Sequence, residues 1–222
     1  STCSATRHLA VFQEMLQAQG FNGGDRIDKR FFLERISGRQ NARIVADLFP
    51  EWGVEEGSAF SERKEARFRE LAVDRLAELI TPGLPTFLDF LAARGVACAA
   101  VTNAPRPNAL LMLRAIGRDD FFHPLVIGDE CSNAKPHPEP YLAAMRVLGV
   151  DPESCLAFED SPSGARAAVG AGVRTLGITS TQPEAALAEA GCAVMISDFE
   201  SAQLWQELRR WQLDEQELVT FN

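Results

Sequence analysis

Apolar positions follow two different periods along the chain. From residue 5 to about residue 80 they recur at helical spacing, as in Leu9, Phe12 and Leu16. Beyond residue 81, short apolar segments alternate with amphipathic ones, and a Pro-Gly pair separates the two patterns. The change predicts a helical domain over residues 5–81 and an α/β domain over residues 82–222.

The second pattern predicts strands and helices in strict alternation. The strands are predicted at residues 96–102, 125–128, 155–159, 174–178 and 193–196. The helices are predicted at residues 85–94, 107–116, 138–148, 162–171 and 182–190. Such alternation favours a parallel sheet with helices on both faces. In sheets of this kind ligands bind beyond the carboxyl ends of the strands, so functional residues are expected there.

A charged segment at residues 62–67 lies in the helical half. Its alternating signs suit a solvated helix face with ion pairs four residues apart, and we expect no functional role for it.

Composition and charge narrow the class of protein. The 222 residues are 46% hydrophobic, which suits one sizeable core with a small second domain. The apolar stretches are too short to cross a bilayer, and the five cysteines have no paired spacing. A net charge of −9 without a basic stripe disfavours nucleic acid and anionic membranes as partners. We expect a cytoplasmic protein, a monomer or homodimer.

Residues with chemical potential follow the predicted strands. Thr102 and Asn103 end one strand, Glu159 and Asp160 end another, and Lys135 lies in the loop after a third. Carboxylates are the ligands of oxygen-seeking cations, and a lysine with a hydroxyl can hold a phosphoryl group. Each feature also has a structural interpretation, since the acidic pair precedes a helix start, Thr102-Asn103 suits a turn, and a lysine before proline is commonly exposed.

The order of these residues resembles the haloacid dehalogenase superfamily, in its subgroup near beta-phosphoglucomutase and small sugar phosphatases. The segments "AAVTNA", "AKPHPEPY" and "LAFEDSPSGARAA" are similar to the family's second, third and fourth motifs. The resemblance implies a Rossmann-like three-layer core with a helical-bundle cap. It also implies a Mg²⁺-dependent phosphatase acting on a small phosphorylated metabolite, with a phosphomutase as the alternative.

The resemblance implies roles for eight residues. Catalytic roles fall on Lys135, which would neutralise phosphoryl charge, and on Thr102 and Asn103, which would hold the phosphoryl oxygens. Asp160 and Glu159 would hold Mg²⁺ directly or through water. In the segment "ISGRQNARIV", where such caps contact substrate, the candidates are Arg39, Asn41 and Arg43.

The chain departs from the family at its first motif. The family begins with an apolar strand ending in D-x-D-G-T, whose first Asp is the nucleophile, and this chain has no such segment. The start, "STCSATRHLAVF", resembles the stretch just after that motif, so the first core strand is expected before residue 1. Three interpretations stay open: a truncated form of an active enzyme, an inactive binding module, or a fragment that needs a partner chain. In the interpretation as an inactive binding module, residues 217–222 are a candidate strand for the place of the missing first core strand.

Other enzyme classes fit less well. A dehalogenase proper uses no metal, which disagrees with the acidic pair. A response-regulator receiver combines Asp, Thr and Lys but has no helical cap. A serine or cysteine hydrolase would need a base and nucleophile pair, and the three histidines offer none at a recognisable spacing.

Overall fold

The computed structural model describes residues 2–73, 78 and 80–210, with side chains given from residue 6 to residue 209 of those ranges. Its first part is helical. The helices are α1 (Thr2–Ala18), α2 (Lys29–Arg35), α3 (Asn41–Leu48) and α4 (Val54–Val73). The second part alternates strands and helices. They are α5 (Leu84–Ala93), β1 (Cys98–Thr102), α6 (Arg106–Ala115), β2 (Phe122–Ile127), α7 (Glu139–Leu148), β3 (Leu156–Glu159), α8 (Pro162–Gly170), β4 (Arg174–Ile178), α9 (Glu184–Glu189), β5 (Val194–Ile196) and α10 (Ala202–Arg210).

The four N-terminal helices share one apolar core. The periodic positions Phe12, Phe32, Ile44 and Phe60 are all buried in it. The start of α2 is fixed by Asp28, whose carboxylate accepts a hydrogen bond of 2.7 Å from the backbone N–H of Phe31. Burial of one stripe from each helix therefore produces the predicted helical bundle.

The strands form two parallel sheets, β1–β2 and β3–β4–β5. Thr102 at the end of β1 lies beside Ile127 at the end of β2. Glu159 at the end of β3 lies beside Gly177 of β4. The strands are parallel within each sheet. Thr102 and Glu159, at the ends of β1 and β3, line one common cavity, so the carboxyl ends of the two sheets lie together, as the alternating pattern predicts.

Helices cover both faces of the larger sheet. Leu156 and Phe158 of β3 pack into the cluster that contains Phe87 of α5. Ala157, between them, packs into the opposite cluster with Met145 of α7. Because successive strand residues point to opposite faces, this alternation shows three layers of helix, sheet and helix.

A gap separates the two sheets. One edge of β1 pairs with β2 and one edge of β3 pairs with β4, and no residue in the described part of the chain pairs with their other edges. A slot of about 550 Å³ opens there, lined by the consecutive residues 96–101 and 154–158. A break of this kind leaves two rows of backbone polar groups without strand partners.

The element predictions for the α/β part hold with shifts of at most three residues at their ends. The strand predicted at 174–178 has those bounds, whereas β2 begins three residues before the predicted 125 and ends one earlier. Residues 217–222, the candidate C-terminal strand, lie outside the described residues. None of the described helices combines the length and apolar character needed to span a bilayer.

Candidate active site

A cavity of about 410 Å³ lies between the helical part and the carboxyl ends of the strands. From the α/β part it is lined by Thr102, Asn103, Lys135, Glu159 and Asp160. The five residues predicted from the strand ends therefore meet in one place. From the helical part it is lined by His8, Phe12, Phe32, Ile36, Ser37, Gly38, Arg39, Asn41, Ile44, Lys64 and Glu65.

Lys135 is buried at the floor of this cavity, with 7% of its surface exposed. Its ammonium group donates to the backbone carbonyl of Val101 at 2.8 Å and forms an ion pair with Glu159. Burying a charge is costly unless it is paired and hydrogen-bonded, and these two contacts meet that requirement. Lys135 is thus held as a fixed positive charge at the strand ends.

Asn103 connects the Lys135 loop to the helical part. Its side-chain oxygen accepts from the backbone N–H of Lys135 at 3.2 Å, and its Nδ2 donates to the Lys135 carbonyl at 3.1 Å. Nδ2 also lies 3.4 Å from the carbonyl oxygen of Gly38. A Cβ at Gly128 would stand 2.3 Å from the Asn103 oxygen, so Asn103 fits only because that position is glycine.

Glu159 is engaged with its neighbours rather than free. Its Oε1 accepts from the Lys135 ammonium and from the hydroxyl of Tyr141 at 2.5 Å. A Cβ at Gly164 would clash with its carboxylate, so the first turn of α8 packs directly on it. Burial, together with the negative charge of Glu159, raises the pKa of Tyr141 well above its ordinary value. The tyrosine therefore stays protonated and donates to Glu159.

Asp160 faces the cavity. No hydrogen bond to its carboxylate comes from the described residues, while its backbone carbonyl accepts from the Thr181 hydroxyl at 2.9 Å. Ser161, the next residue, caps α8 by accepting from the backbone N–H of Gly164 at 3.1 Å. The prediction that a helix starts after the acidic pair is therefore correct, with Ser161 as its cap, and this leaves Asp160 available as an oxygen ligand.

Thr102 is oriented by its own turn, since its hydroxyl oxygen accepts from the backbone N–H of Ala104 at 3.0 Å. The hydroxyl hydrogen is left for a ligand in the cavity.

Within the described ranges no group of three or more His, Cys, Asp or Glu side chains is arranged to bind a metal ion. Asp160 suits a hard cation by its chemistry, but a complete site needs a further ligand.

The three residues predicted from the helical segment have different positions. Arg39 lines the cavity, and its guanidinium contacts Asp47 at 2.5 Å and the Arg35 carbonyl at 2.7 Å. Asn41 also lines the cavity and belongs to a buried network. Arg43 is exposed and is not among the lining residues, so the structure does not bring it to the site.

The expectation that residues 62–67 form a solvated face is wrong for two of them. Lys64 and Glu65 are buried, with 4% and 6% exposure, and both line the cavity. Asn41 accepts from the Lys64 ammonium at 2.9 Å and donates to Glu65 at 2.7 Å. Asn108 of α6 donates to the other Glu65 oxygen, so the network joins the two parts of the molecule.

Burial and ion pairing shift the pKa values of Lys64 and Glu65 in opposite directions. Burial lowers the pKa of Lys64, which Glu65 partly offsets. For Glu65 burial opposes ionisation, but Lys64 and Asn41 outweigh it and lower its pKa. A sequence signal for the burial exists, because Lys64 lies four residues from both Phe60 and Phe68 and so shares their helix face.

The helical part docks closely on the strand ends. Gly38 has a φ of +74°, and a Cβ there would lie 2.9 Å from the Cβ of Ser161. Gln40 donates to Asp129 at 2.8 Å across the same junction. The cavity is therefore enclosed from above by a segment whose backbone conformation and close approach both require glycine.

His8 contributes a neutral imidazole to the cavity. Its ring stacks on Phe68 with the centroids 3.9 Å apart. Burial, and secondarily the positive charge of Lys64, lower its pKa to about 3. It can hydrogen-bond a ligand without carrying a charge.

A model of the haloacid dehalogenase-like hydrolase family matches residues 6–172. The chain belongs to this family. The match confirms the resemblance drawn from the three motifs, and with it the assignment to an enzyme family of the phosphatase type. In this context the helical part corresponds to the cap and the α/β part to the core.

Named relatives and solved structures agree with this assignment. The chain is 34% identical over 149 residues to a phosphorylated carbohydrates phosphatase of Thermotoga maritima. The aligned region covers 66% of this chain and 66% of the relative, just under two thirds of each. It is 30% identical over 179 residues to a phosphoglycolate phosphatase of Rhodospirillum rubrum, covering 78% of this chain and 74% of that one. The structure of a beta-phosphoglucomutase from Clostridium difficile matches with a TM-score of 0.79 at 20% identity, over 97% of this chain and 93% of the other. The last likeness confirms the capped three-layer fold.

Proposed function

We propose that this protein hydrolyses phosphomonoesters of small phosphorylated metabolites, with Mg²⁺ as cofactor and an aspartyl-phosphate as intermediate. The observation that carries the proposal is the convergence of Lys135, Thr102 and Asp160 on one enclosed cavity at the strand ends. Phosphoryl transfer depends mainly on positioning and charge stabilisation, and these are the groups it needs. The relatives named as phosphatases support the same chemistry.

Each residue has a distinct role in this proposal. The Lys135 ammonium stabilises the negative charge on the phosphoryl oxygens, and Thr102 donates its hydroxyl to one of them. Glu159 and Tyr141 act through Lys135, which they hold in place. Asp160 would hold Mg²⁺, which when bound would offset further phosphoryl charge. His8 and Lys64 offer hydrogen bonds to the rest of the substrate from the cap side.

The nucleophile must come from elsewhere, because the carboxylates that line the cavity are already engaged or assigned. Glu65 is bound by Asn41 and Asn108, Glu159 holds Lys135, and Asp160 is the metal ligand. We propose that an apolar strand fills the slot between β1 and β3 and ends in the nucleophilic aspartate. A parallel strand there would end at the same edge as Thr102 and Glu159, beside Lys135.

The composition of the slot supports such an occupant. Its walls are mainly aliphatic and aromatic, with Ala99 and Val101 from β1 and Leu156 and Phe158 from β3. A strand with unpaired neighbours on both sides gains two ladders of backbone hydrogen bonds as well as apolar burial. Its terminal aspartate would also supply the second oxygen ligand that Asp160 needs.

Phosphate release from a panel of phosphomonoesters tests the proposal. The protein is assayed with Mg²⁺ alone, with a synthetic apolar peptide ending in D-x-D-G-T, and with a matched peptide ending in N-x-D-G-T. We expect Mg²⁺-dependent turnover with the first peptide only, abolished in Asp160→Asn and retained in Asp151→Asn, an exposed control. If both peptides bind and neither gives turnover, the hydrolase proposal is wrong and a binding function is favoured. Turnover without any peptide would contradict only the proposal that a strand in the slot supplies the nucleophile, and the hydrolase proposal would stand.

A further inference from the structure

A second cavity of about 880 Å³ lies behind the first, between α3, the start of α4 and the loop that follows β1. Asn41 and Glu65 line both cavities. These two side chains are hydrogen-bonded to each other at 2.7 Å and stand between the two spaces. The cavities are therefore adjacent compartments divided by a pair of side chains.

The walls of the second cavity suit a flat apolar group. They include the rings of Phe49 and Trp52, which stack with their centroids 3.8 Å apart, and the rings of Pro105 and Pro107. Ala46 and several other small residues of α3 and α4 leave room between these rings. Proline and aromatic rings present flat faces against which another ring can pack.

The charges around the second cavity disfavour a second phosphate. Glu62 and Asp129 lie on its rim as exposed carboxylates, and Glu65 is at its inner end. Arg69 is the cationic side chain among the lining residues, and its guanidinium already donates to Asn108 at 2.8 Å. A cationic group would be attracted there, an uncharged group would be neither attracted nor repelled by these charges, and an anion would be repelled.

We propose that the second cavity is a subsite for the leaving group of the substrate, and that it takes an uncharged or cationic flat ring. The inference rests on the proposed function, since the phosphoryl group would occupy the first cavity beside Lys135. Asn41 is the movable part of the divider. Among the described residues Asn41 is held by Lys64 and Glu65, whereas Glu65 has both Lys64 and Asn108 besides Asn41. Rotation of Asn41 would therefore open the passage while the Glu65 carboxylate stays in place.

Calorimetric binding without Mg²⁺ tests this assignment, because it requires no turnover. The probes are ethyl phosphate, which fits the first cavity alone, and biphenyl-4-yl phosphate, whose rings would reach the second. We expect the biphenyl ester to bind at least about tenfold more tightly, since burial of a ring contributes on that scale. Ala46→Phe, which fills the second cavity, should remove this advantage and leave the affinity for ethyl phosphate unchanged.

A matched variant separates filling of the cavity from a general effect on the cap. Ala10→Phe places the same side chain on an exposed position of α1, away from both cavities, and should change neither affinity. Equal affinities of the two esters, or an equal loss of both in Ala46→Phe, would overturn the subsite. Failure of both esters to bind would overturn the proposed function together with the inference.

Discussion

The side-chain amide of Asn103 pairs with both backbone polar groups of Lys135. It accepts from the lysine N–H at 3.2 Å and donates to the lysine carbonyl at 3.1 Å. Two elements that are 32 residues apart in sequence are thereby joined directly beneath the cavity. The position of the Lys135 ammonium depends on this pairing, because the lysine backbone has no freedom to shift while both bonds are made.

Replacement of Asn103 by Ala should lower both stability and phosphate affinity. Loss of two partly buried hydrogen bonds costs about 1–3 kcal/mol in the free energy of unfolding, measurable by urea denaturation. Calorimetric titration with inorganic phosphate should show weaker binding, because Lys135 is less well placed. Asn133→Ala is the control, since Asn133 is exposed and its side chain bonds Glu139 away from the cavity. A stability loss as large in the control would contradict this role of Asn103.

Tyr141 should not ionise in the folded protein at a pH where a free tyrosine does. The chain contains a single tyrosine, so the ultraviolet absorbance of tyrosinate reports this residue alone. Its pKa is raised by burial and by Glu159, whereas the unfolded chain ionises near pH 10. Stability from the neutral hydroxyl is therefore fully present below about pH 10 and is lost as the pH rises beyond it.

The measurement is a pair of alkaline titrations, one of absorbance and one of unfolding. Tyrosinate should form together with the loss of helical circular dichroism rather than before it. In Tyr141→Phe the free energy of unfolding should fall by about 1–3 kcal/mol near neutral pH, because a hydrogen bond to a charged carboxylate is lost. Ionisation of Tyr141 near pH 10 in the folded state would refute the buried contact with Glu159.

The strand-end residues could be predicted from the sequence because parallel strands deliver their termini to one edge. Thr102, Lys135 and Asp160 followed from that rule and from the order of the motifs, and they line one cavity. The place of Lys64 and Glu65 in the cavity could not be predicted in this way, because their charges favour a solvated helix face. The spacing from Phe60 and Phe68 argued for burial, but a buried ion pair is credible only once its partners are known.

Those partners lie far away in sequence. Glu65 bonds Asn108, which is 43 residues away, and Tyr141 bonds Glu159 across 18 residues. No local pattern encodes such contacts. The two-residue divider between the cavities depends on them as well, so the shape of the site could not be derived from periodicity, whereas the elements that build it could.

Acid should destabilise the protein through His8. Its pKa of about 3 in the folded state lies below the ordinary value of 6.5, so the unfolded chain binds the proton first. Stability should therefore be fully present above about pH 6.5 and fall toward pH 3, by up to about 1.4 kcal/mol per pH unit for this one group. In His8→Phe, which keeps a ring against Phe68, that part of the slope should disappear from the urea unfolding curves.

A control for His8 is available in the same chain. His123→Gln changes an exposed histidine, and the pH dependence of its unfolding should match that of the unchanged protein. Proton NMR of the imidazole carbons measures the titration directly. A His8 signal that shifts near pH 6.5 in the folded protein would refute the neutral imidazole, and with it the uncharged role in substrate binding.

Gly38→Ala should weaken the docking of the cap on the core. Two effects contribute: the φ of +74° is unfavourable for alanine by about 1 kcal/mol, and the new Cβ would lie 2.9 Å from Ser161. Gly20→Ala isolates the first effect, because Gly20 has a φ of +70° and a Cβ added there would have no neighbour within 4 Å. We expect both variants to lose stability in urea denaturation and Gly38→Ala alone to bind phosphate more weakly. Equal behaviour of the two variants would show that the contact of Gly38 with Ser161 does not position the cap.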